Sequence, residues 1–490
     1  MYGEEKLNNH YIIRYGLTKE FFEGFAGLKH LDIEIPLCLI RHFHIWIQPF
    51  VDLNLSNKAY VQTLQRKHHL YSAEDIQHRL QGKKPTSQQK KKKGSKKVIV
   101  MPARFVDLAL QRFYKDNVLL IITTAQEGAT IKEKKLPNHF DTFYVSKALA
   151  KVQLSGPCRK LLTDKLDRAL NKHRYHPVFG KDDFGKWLRG YTFRMAKMLE
   201  AFDVLFQEYE VGVVLDHLEI TVPANITSLL SLKYDAPFII LPQLLLSDRS
   251  ILPTRAAYHF VWGVNYKEWL QKRGVESSKI KIVGNLRFEQ YQTSPSMTKA
   301  EFRSRLNIPR SNLIITFTSQ PLPEEVNHTI LKWIHAAAKN LPVTFLIKPH
   351  PSDKVDYSAY IQIPKKIILP ASCDLYNILA NTDIVTTVSS NTAIEAAIMQ
   401  KGILILQPTI PYHYEYHNND FNSHLVKASA GAPIYNEQQL IQEIRELLNN
   451  KRRSKDLYMQ GQAFLENTIS SSSYPSPSTR ISQLVHTLIK

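Results

Sequence analysis

Residues 343–351 read Val-Thr-Phe-Leu-Ile-Lys-Pro-His-Pro, and residues 384–397 read Ile-Val-Thr-Thr-Val-Ser-Ser-Asn-Thr-Ala-Ile-Glu-Ala-Ala. Each opens on a short run of β-branched and apolar residues, the composition of a strand buried on both faces, and then breaks into proline or small hydroxyl residues. The second passes at once into a helical stretch, residues 391–399. Working outward, 313–317, 367–369 and 403–406 are further strand-like runs. Residues 324–339 predict a helix that gathers Ile330, Leu331, Ile334 and Ala337 on one face, and 375–379 and 437–448 predict two more. Strands alternating with helices predict a parallel α/β domain.

The first half carries the same plan. Residues 98–101 and 118–122 are strand-like and flank a helical pattern over 103–114, a βαβ spacing. Met195, Met198, Leu199, Phe202, Leu205 and Phe206 keep helical periodicity, and strand-like runs follow at 211–215, 238–241 and 259–262, with a helix over 225–232. A further strand-like run lies at 35–40, and His42 and His44 continue that alternation, which would put both on one face. The expected fold class is therefore α/β, with two facing Rossmann-like domains and a ligand cleft at the carboxyl ends of their strands. The expected divisions are an N-terminal extension over 1–82, partly joined to the first domain, and a flexible lysine-rich segment over 83–97. The first domain follows over 98–265, then a linker over 266–300. The second domain spans 301–465, and a tail with a returning C-terminal helix spans 466–490.

The charge is lopsided: 64 lysines and arginines face 44 acids, a formal net charge of +20. Residues 83–97, KKPTSQQKKKKGSKK, hold eight lysines and no acid. Like charges in a row repel and bury nothing, so this segment is read as solvated, and as a tether from Lys83 to Lys97 toward an anionic membrane surface. Three scattered cysteines fit a reducing compartment and exclude a disulfide framework. No run is long and apolar enough for a membrane span, and the N-terminus has no secretory pattern. The expected location is cytoplasmic, peripheral at the inner face of a membrane. No RNP, KH, zinc-finger or helix-turn-helix signature accompanies the charge, so no nucleic-acid partner is expected.

Phosphate-loop, GxGxxG, GxSxG and HExxH motifs are all absent. The chemistry is sought at strand ends instead. Lys348 and His350, the latter held between two prolines, form a rigid pair suited to a leaving group that gains negative charge. Ser389, Ser390, Asn391 and Thr392 open a helix, where free N–H groups attract phosphate, and Glu395 one turn on is placed to accept from ribose hydroxyls. In the first half, Glu127 follows one strand, and Asp216, His217 and Glu219 follow another. Glu127 and Asp216 are the candidate catalytic bases. His413, Glu415 and His417 alternate after Pro411, a metal-like spacing on one short segment. No Asp-x-Asp occurs, so no metal and no cofactor is expected, the nucleotide sugar being substrate.

Taken in order, these pieces resemble a family. From about Ala256 to Leu448 the chain is similar to the C-terminal half of GT-B-fold nucleotide-sugar glycosyltransferases, in particular bacterial capsule, polysialic and teichoic-acid-type polymer enzymes. The matching pieces are Phe260-Val-Trp-Gly263, Val283-Gly-Asn-Leu-Arg-Phe288, Lys348-Pro-His-Pro351, the stretch Asp374 to Asp383, Ser389-Ser390 and Glu395-Ala-Ala. The chain departs at Glu289, where relatives carry Asp, and at Gln243-Leu244, where they often carry His-Gly. The resemblance implies that His350 and the Ser389/Ser390 pair contact the donor's phosphates, that the domains close, and that the C-terminal helix crosses back. The expected function is a metal-independent glycosyltransferase moving a sugar from a nucleotide-activated donor to a surface polysaccharide, with a glycan or lipid-linked acceptor as partner. The alternatives are a nucleotide-sugar 2-epimerase of the same fold and, in another class, a basic nucleic-acid-binding protein or non-catalytic GT-B scaffold.

Overall fold

The structure, a computed structural model, describes residues 7–87, 96–243, 252–292, 296–360, 366–370, 373–410, 424–469 and 475–489. Within the lysine-rich segment, 88–95 lie outside the described residues, as do His413, Glu415 and His417. The chain divides into two compact units. Among the described residues, one holds 7–261, 269–283 and the C-terminal helix Pro477–Ile489; the other holds 262–268 and 284–469.

The first unit is built on a seven-stranded parallel sheet. Its order across the sheet is Phe140–Tyr144, Asn117–Ile122, Val98–Pro102, Val211–Asp216, Phe238–Ile240, Tyr258–Val261 and Ile280–Ile282. Val98–Pro102 is buried at every position, as a strand covered on both faces must be. The 27-residue helix Asp182–Glu208 packs Met195, Leu199, Phe202 and Phe206 inward, the stripe its spacing predicts. The C-terminal helix is anchored on this unit: Arg112 donates to Ser478 Oγ at 2.7 Å, and His486 Nε2 meets Asp116 Oδ2 at 3.0 Å.

Two expectations fail in this unit. The apolar run 35–40 is not a strand. Pro36 stands in the first turn of helix Ile35–Cys38, and helix Ile40–Asn54 follows. A run of six apolar residues fits a buried helix turn as well as a strand, and proline in a first turn favours the helix. His42 and His44 therefore lie about 200° apart around a helix. His44 is buried against Thr18, while His42 packs on the Tyr191 ring. The segment expected as linker, 266–300, is not one either, since Ile280–Ile282 closes the first sheet beside Tyr258–Val261.

The second unit carries a six-stranded, fully parallel sheet. Its order is Ile367–Ile368, Val343–Lys348, Leu313–Thr318, Ile384–Thr387, Gly402–Leu406 and Ala432–Ile434. Helix Glu324–Asn340 lays Ile330, Leu331, Ile334 and Ala337 on Phe345 and Ile347, and helix Glu437–Asn449 adds Leu440 and Ile444 to the same core. Leu313–Thr318 is central, with Thr318 opposite Lys348 on one side and Phe317 opposite Thr386 on the other. The loops carrying 349–353 and 388–391 thus leave the same edge of the sheet, on either side of the loop that begins at Ser319. Both units are Rossmann-like α/β domains with parallel sheets, the arrangement of the GT-B-like class.

Candidate functional site

The centre of the candidate site is Ser319-Gln320, a dipeptide that sequence reading passed over. Ser319 Oγ accepts from the His350 backbone N–H at 2.9 Å and donates to Asp353 Oδ2 at 2.5 Å. Gln320 reaches the other way. Its Nε2 donates to Ser389 Oγ at 3.0 Å, and its Oε1 accepts from the Ser389 backbone N–H at 2.7 Å. His350 and Ser389 are thus joined through two adjacent residues at the end of the central strand. Asn327 Nδ2 holds the Gln320 carbonyl at 2.9 Å, and Tyr357 donates to Asp353. Burial and that hydrogen bond to an ionised carboxylate raise the Tyr357 hydroxyl above its ordinary range.

His350 is exposed, and its ring orientation is set. The Ser352 backbone N–H donates to its Nδ1 at 3.1 Å. An imidazole nitrogen that accepts carries no proton, so in the neutral ring the proton sits on Nε2. His350 therefore offers an Nε2–H donor from a proline-fixed turn. Lys348, half-buried, is the last residue of the neighbouring strand.

The serine pair divides its work. Ser389 is buried and spends both its hydroxyl and its N–H on Gln320. Ser390 is half-buried, and its Oγ accepts from the Thr392 N–H at 3.2 Å. Thr392 Oγ1 lies 2.7 Å from Thr318 Oγ1, and Asn391 caps the helix without a side-chain bond to it. Helix Thr392–Ile398 has only seven residues, so little dipole field is added to its first N–H groups.

Glu395 is fully buried, and its Oε1 pairs with Arg287 Nη2 at 2.6 Å. One oxygen of the carboxylate expected to receive a ribose hydroxyl is thus held by a guanidinium. That guanidinium is itself nearly half exposed, and the Asn285 side chain fixes its backbone. Arg287 is a third residue that sequence reading missed. It lies inside the quoted stretch Val283–Phe288, where an arginine is a recognisable signal for anion binding.

The other quoted pieces serve the scaffold. Asp374 caps helix Leu375–Asn381 through the Asn377 N–H at 2.8 Å. Asp383 accepts from the Ile314 N–H at 2.9 Å and pairs with Lys299.

In the first unit, Glu127 belongs to a capping box. Its Oε2 accepts from Thr123 N at 2.8 Å, Thr123 Oγ1 at 2.6 Å and Thr124 N at 3.2 Å. Partial burial raises its carboxyl, but these three hydrogen bonds outweigh that and hold it below its ordinary range. A carboxylate so satisfied is a poor base. Asp216 ends a central strand and is buried, and its Oδ1 accepts from the His217 N–H at 2.6 Å and lies 2.7 Å from His217 Nδ1. An ionised carboxylate only accepts, so Nδ1 is the protonated nitrogen and Nε2 carries the basic lone pair. Glu219 is structural: it accepts from Ser228 Oγ, Thr254 Oγ1 and the Arg255 N–H.

Residues 247–467 match the family model of UDP-N-acetylglucosamine 2-epimerase. No curated protein matches the chain. A crystal structure named for a UDP-N-acetylglucosamine 2-epimerase of Listeria monocytogenes superposes with a TM-score of 0.50 at 16% identity, covering 80% of this chain and 96% of that one. The S. aureus MnaA–UDP co-structure gives 0.49 at 15% identity, over 79% and 94%. A glycosyltransferase from Rickettsia africae gives 0.49 at 12% identity, over 81% and 99%. At such identities the Listeria superposition establishes the fold alone. The family match corrects the expected function: it spans Arg287, the Ser319-Gln320 bridge, His350 and Ser389, and it is an epimerase pattern where a glycosyltransferase was expected. The chain has a GT-B-like fold, and its residues 247–467 match the family model of the UDP-N-acetylglucosamine 2-epimerases.

Proposed function

We propose that the chain binds a UDP-sugar through the strand-end loops of its second unit and inverts the sugar at C2. The observation that carries this reading is the epimerase family match over residues 247–467, the stretch that contains the site. Lys348, the His350 Nε2–H, Ser390 and Arg287 supply positive charge and donors for the diphosphate, the group that gains charge if its bond to the sugar weakens. Inversion at C2 requires a base that takes the C2 proton and an acid that returns one to the opposite face. His217 is our candidate for the base, with Asp216 fixing its tautomer and stabilising the charged ring. An epimerase transfers nothing, so no glycan or lipid acceptor is needed.

Binding is tested by thermal shift. UDP at a hundred times its dissociation constant adds about 2.7 kcal/mol of stability, and UDP and UDP-sugars are expected to raise the melting temperature more than CMP or GDP. His350→Ala should keep the unliganded melting temperature and weaken UDP binding roughly tenfold or more, about 1.4 kcal/mol. No shift with any uridine ligand, or an unaltered shift in the variant, would count against the site.

A further inference from the structure

Away from the strand-end loops, three side chains of the first unit meet that no sequence motif links. His30 sits on the short strand Lys29–His30, Cys158 in the first turn of helix Gly156–Lys172, and Glu200 on helix Asp182–Glu208. His30 Nδ1 lies 3.7 Å from Cys158 Sγ, across 128 residues of sequence. His30 Nε2 lies 3.1 Å from Glu200 Oε1, across 170. One ligand atom from each residue falls within 4.8 Å of the other two, and all three residues are partly buried. We propose that His30, Cys158 and Glu200 form a binding site for a thiophilic divalent cation, with zinc the best fit.

The donor set selects the ion. A thiolate, an imidazole and a carboxylate suit zinc or cobalt and disfavour magnesium and calcium, which take oxygen ligands. The spacing fits as well. With metal–sulfur and metal–nitrogen bonds of about 2.3 and 2.1 Å at a tetrahedral angle, the two donors stand roughly 3.6 Å apart. The pair Nδ1 and Sγ is at that separation already. Joining the metal requires the Glu200 carboxylate to turn from the far nitrogen, where it now lies, and three protein ligands then leave a fourth position for water. The three residues come from three separate elements, so the ion would clamp the hairpin to both helices. That hairpin, Lys29–His30 paired antiparallel with Ile33–Glu34, is built to present His30. Its turn residues Leu31 and Asp32 both have left-handed backbone, at φ 52° and 65°, and Asp32 Oδ2 pins the turn by accepting from the Thr86 N–H at 2.8 Å. On binding, the Cys158 thiol gives its proton to solvent or buffer and the metal takes its place.

The site does not depend on the sugar chemistry, so the two readings stand or fall separately. The probe is cobalt(II), which gives a near-ultraviolet thiolate-to-metal charge-transfer band. The full chain, stripped with chelator and titrated in reducing buffer, should develop that band at one equivalent. Added zinc should displace the cobalt and raise the melting temperature. Cys38 and Cys373 are buried, so Cys158→Ser should abolish the band and weaken zinc binding by about 100-fold or more. Glu200→Gln should keep the band and weaken zinc about tenfold. Without metal, both variants should melt at the metal-free wild-type temperature. The proposal is overturned if the stripped wild type develops no band, if the band survives in Cys158→Ser, or if Glu200→Gln binds zinc as tightly as the wild type.

Discussion

Single residues decide most of what the two candidate acids are doing. Glu127 and Asp216 look alike in the sequence, each a carboxylate just beyond a strand. The hydrogen bonds separate them: three donors occupy one oxygen of Glu127 and belong to its helix cap, while Asp216 is spent on a single histidine. Glu127→Ala should therefore cost about 1 kcal/mol of stability at pH 7, as the loss of a capping box does, and leave catalysis within twofold. The pH dependence follows from the lowered carboxyl. A group whose folded value lies below its unfolded value contributes stability above the unfolded value of about 4.5, and that contribution fades as pH falls through the folded value. Urea denaturation from pH 7 down toward pH 3 should show wild type and variant converging as acid is added. A constant gap would contradict the capping assignment.

At the scale of elements, the second unit's sheet was legible because its strands are apolar on both faces and its helices show one clear stripe. In the two large sheets three strands escaped: Phe140–Tyr144, Ile280–Ile282 and Ala432–Ile434. All are edge strands of three to five residues, too short or too polar for alternation to register. The last of them depends on Gly431. A Cβ there would stand 2.1 Å from the Ile403 carbonyl oxygen, a contact with backbone in the next strand that no rotamer relieves. Gly431→Ala should lower stability by about 1–3 kcal/mol, read as a lower melting temperature, with the loss centred on Gly402–Leu406 and Ala432–Ile434 in hydrogen exchange. A melting temperature equal to wild type would contradict this close approach.

Across the whole molecule, the strand ends that carry the site could be named in advance, because parallel sheets put their loops at one edge. The way those loops are fastened could not be. Ser319 and Gln320 match no motif, and only the register of Thr318 against Lys348, and of the same strand against Ile384–Thr387, makes them the bridge between His350 and Ser389. The reaction class was misread for a related reason. Motifs expected to hold a nucleotide diphosphate say nothing of whether the sugar is then handed on or inverted. The direct measurement is solvent exchange at C2. The enzyme is incubated with UDP-N-acetylglucosamine in deuterium oxide and followed by proton NMR. The account predicts that deuterium enters C2 as the C2 epimer forms, and that Asp216→Asn slows both by roughly 10²-fold or more. UDP-N-acetylglucosamine that is bound yet keeps its C2 proton and its configuration would contradict it.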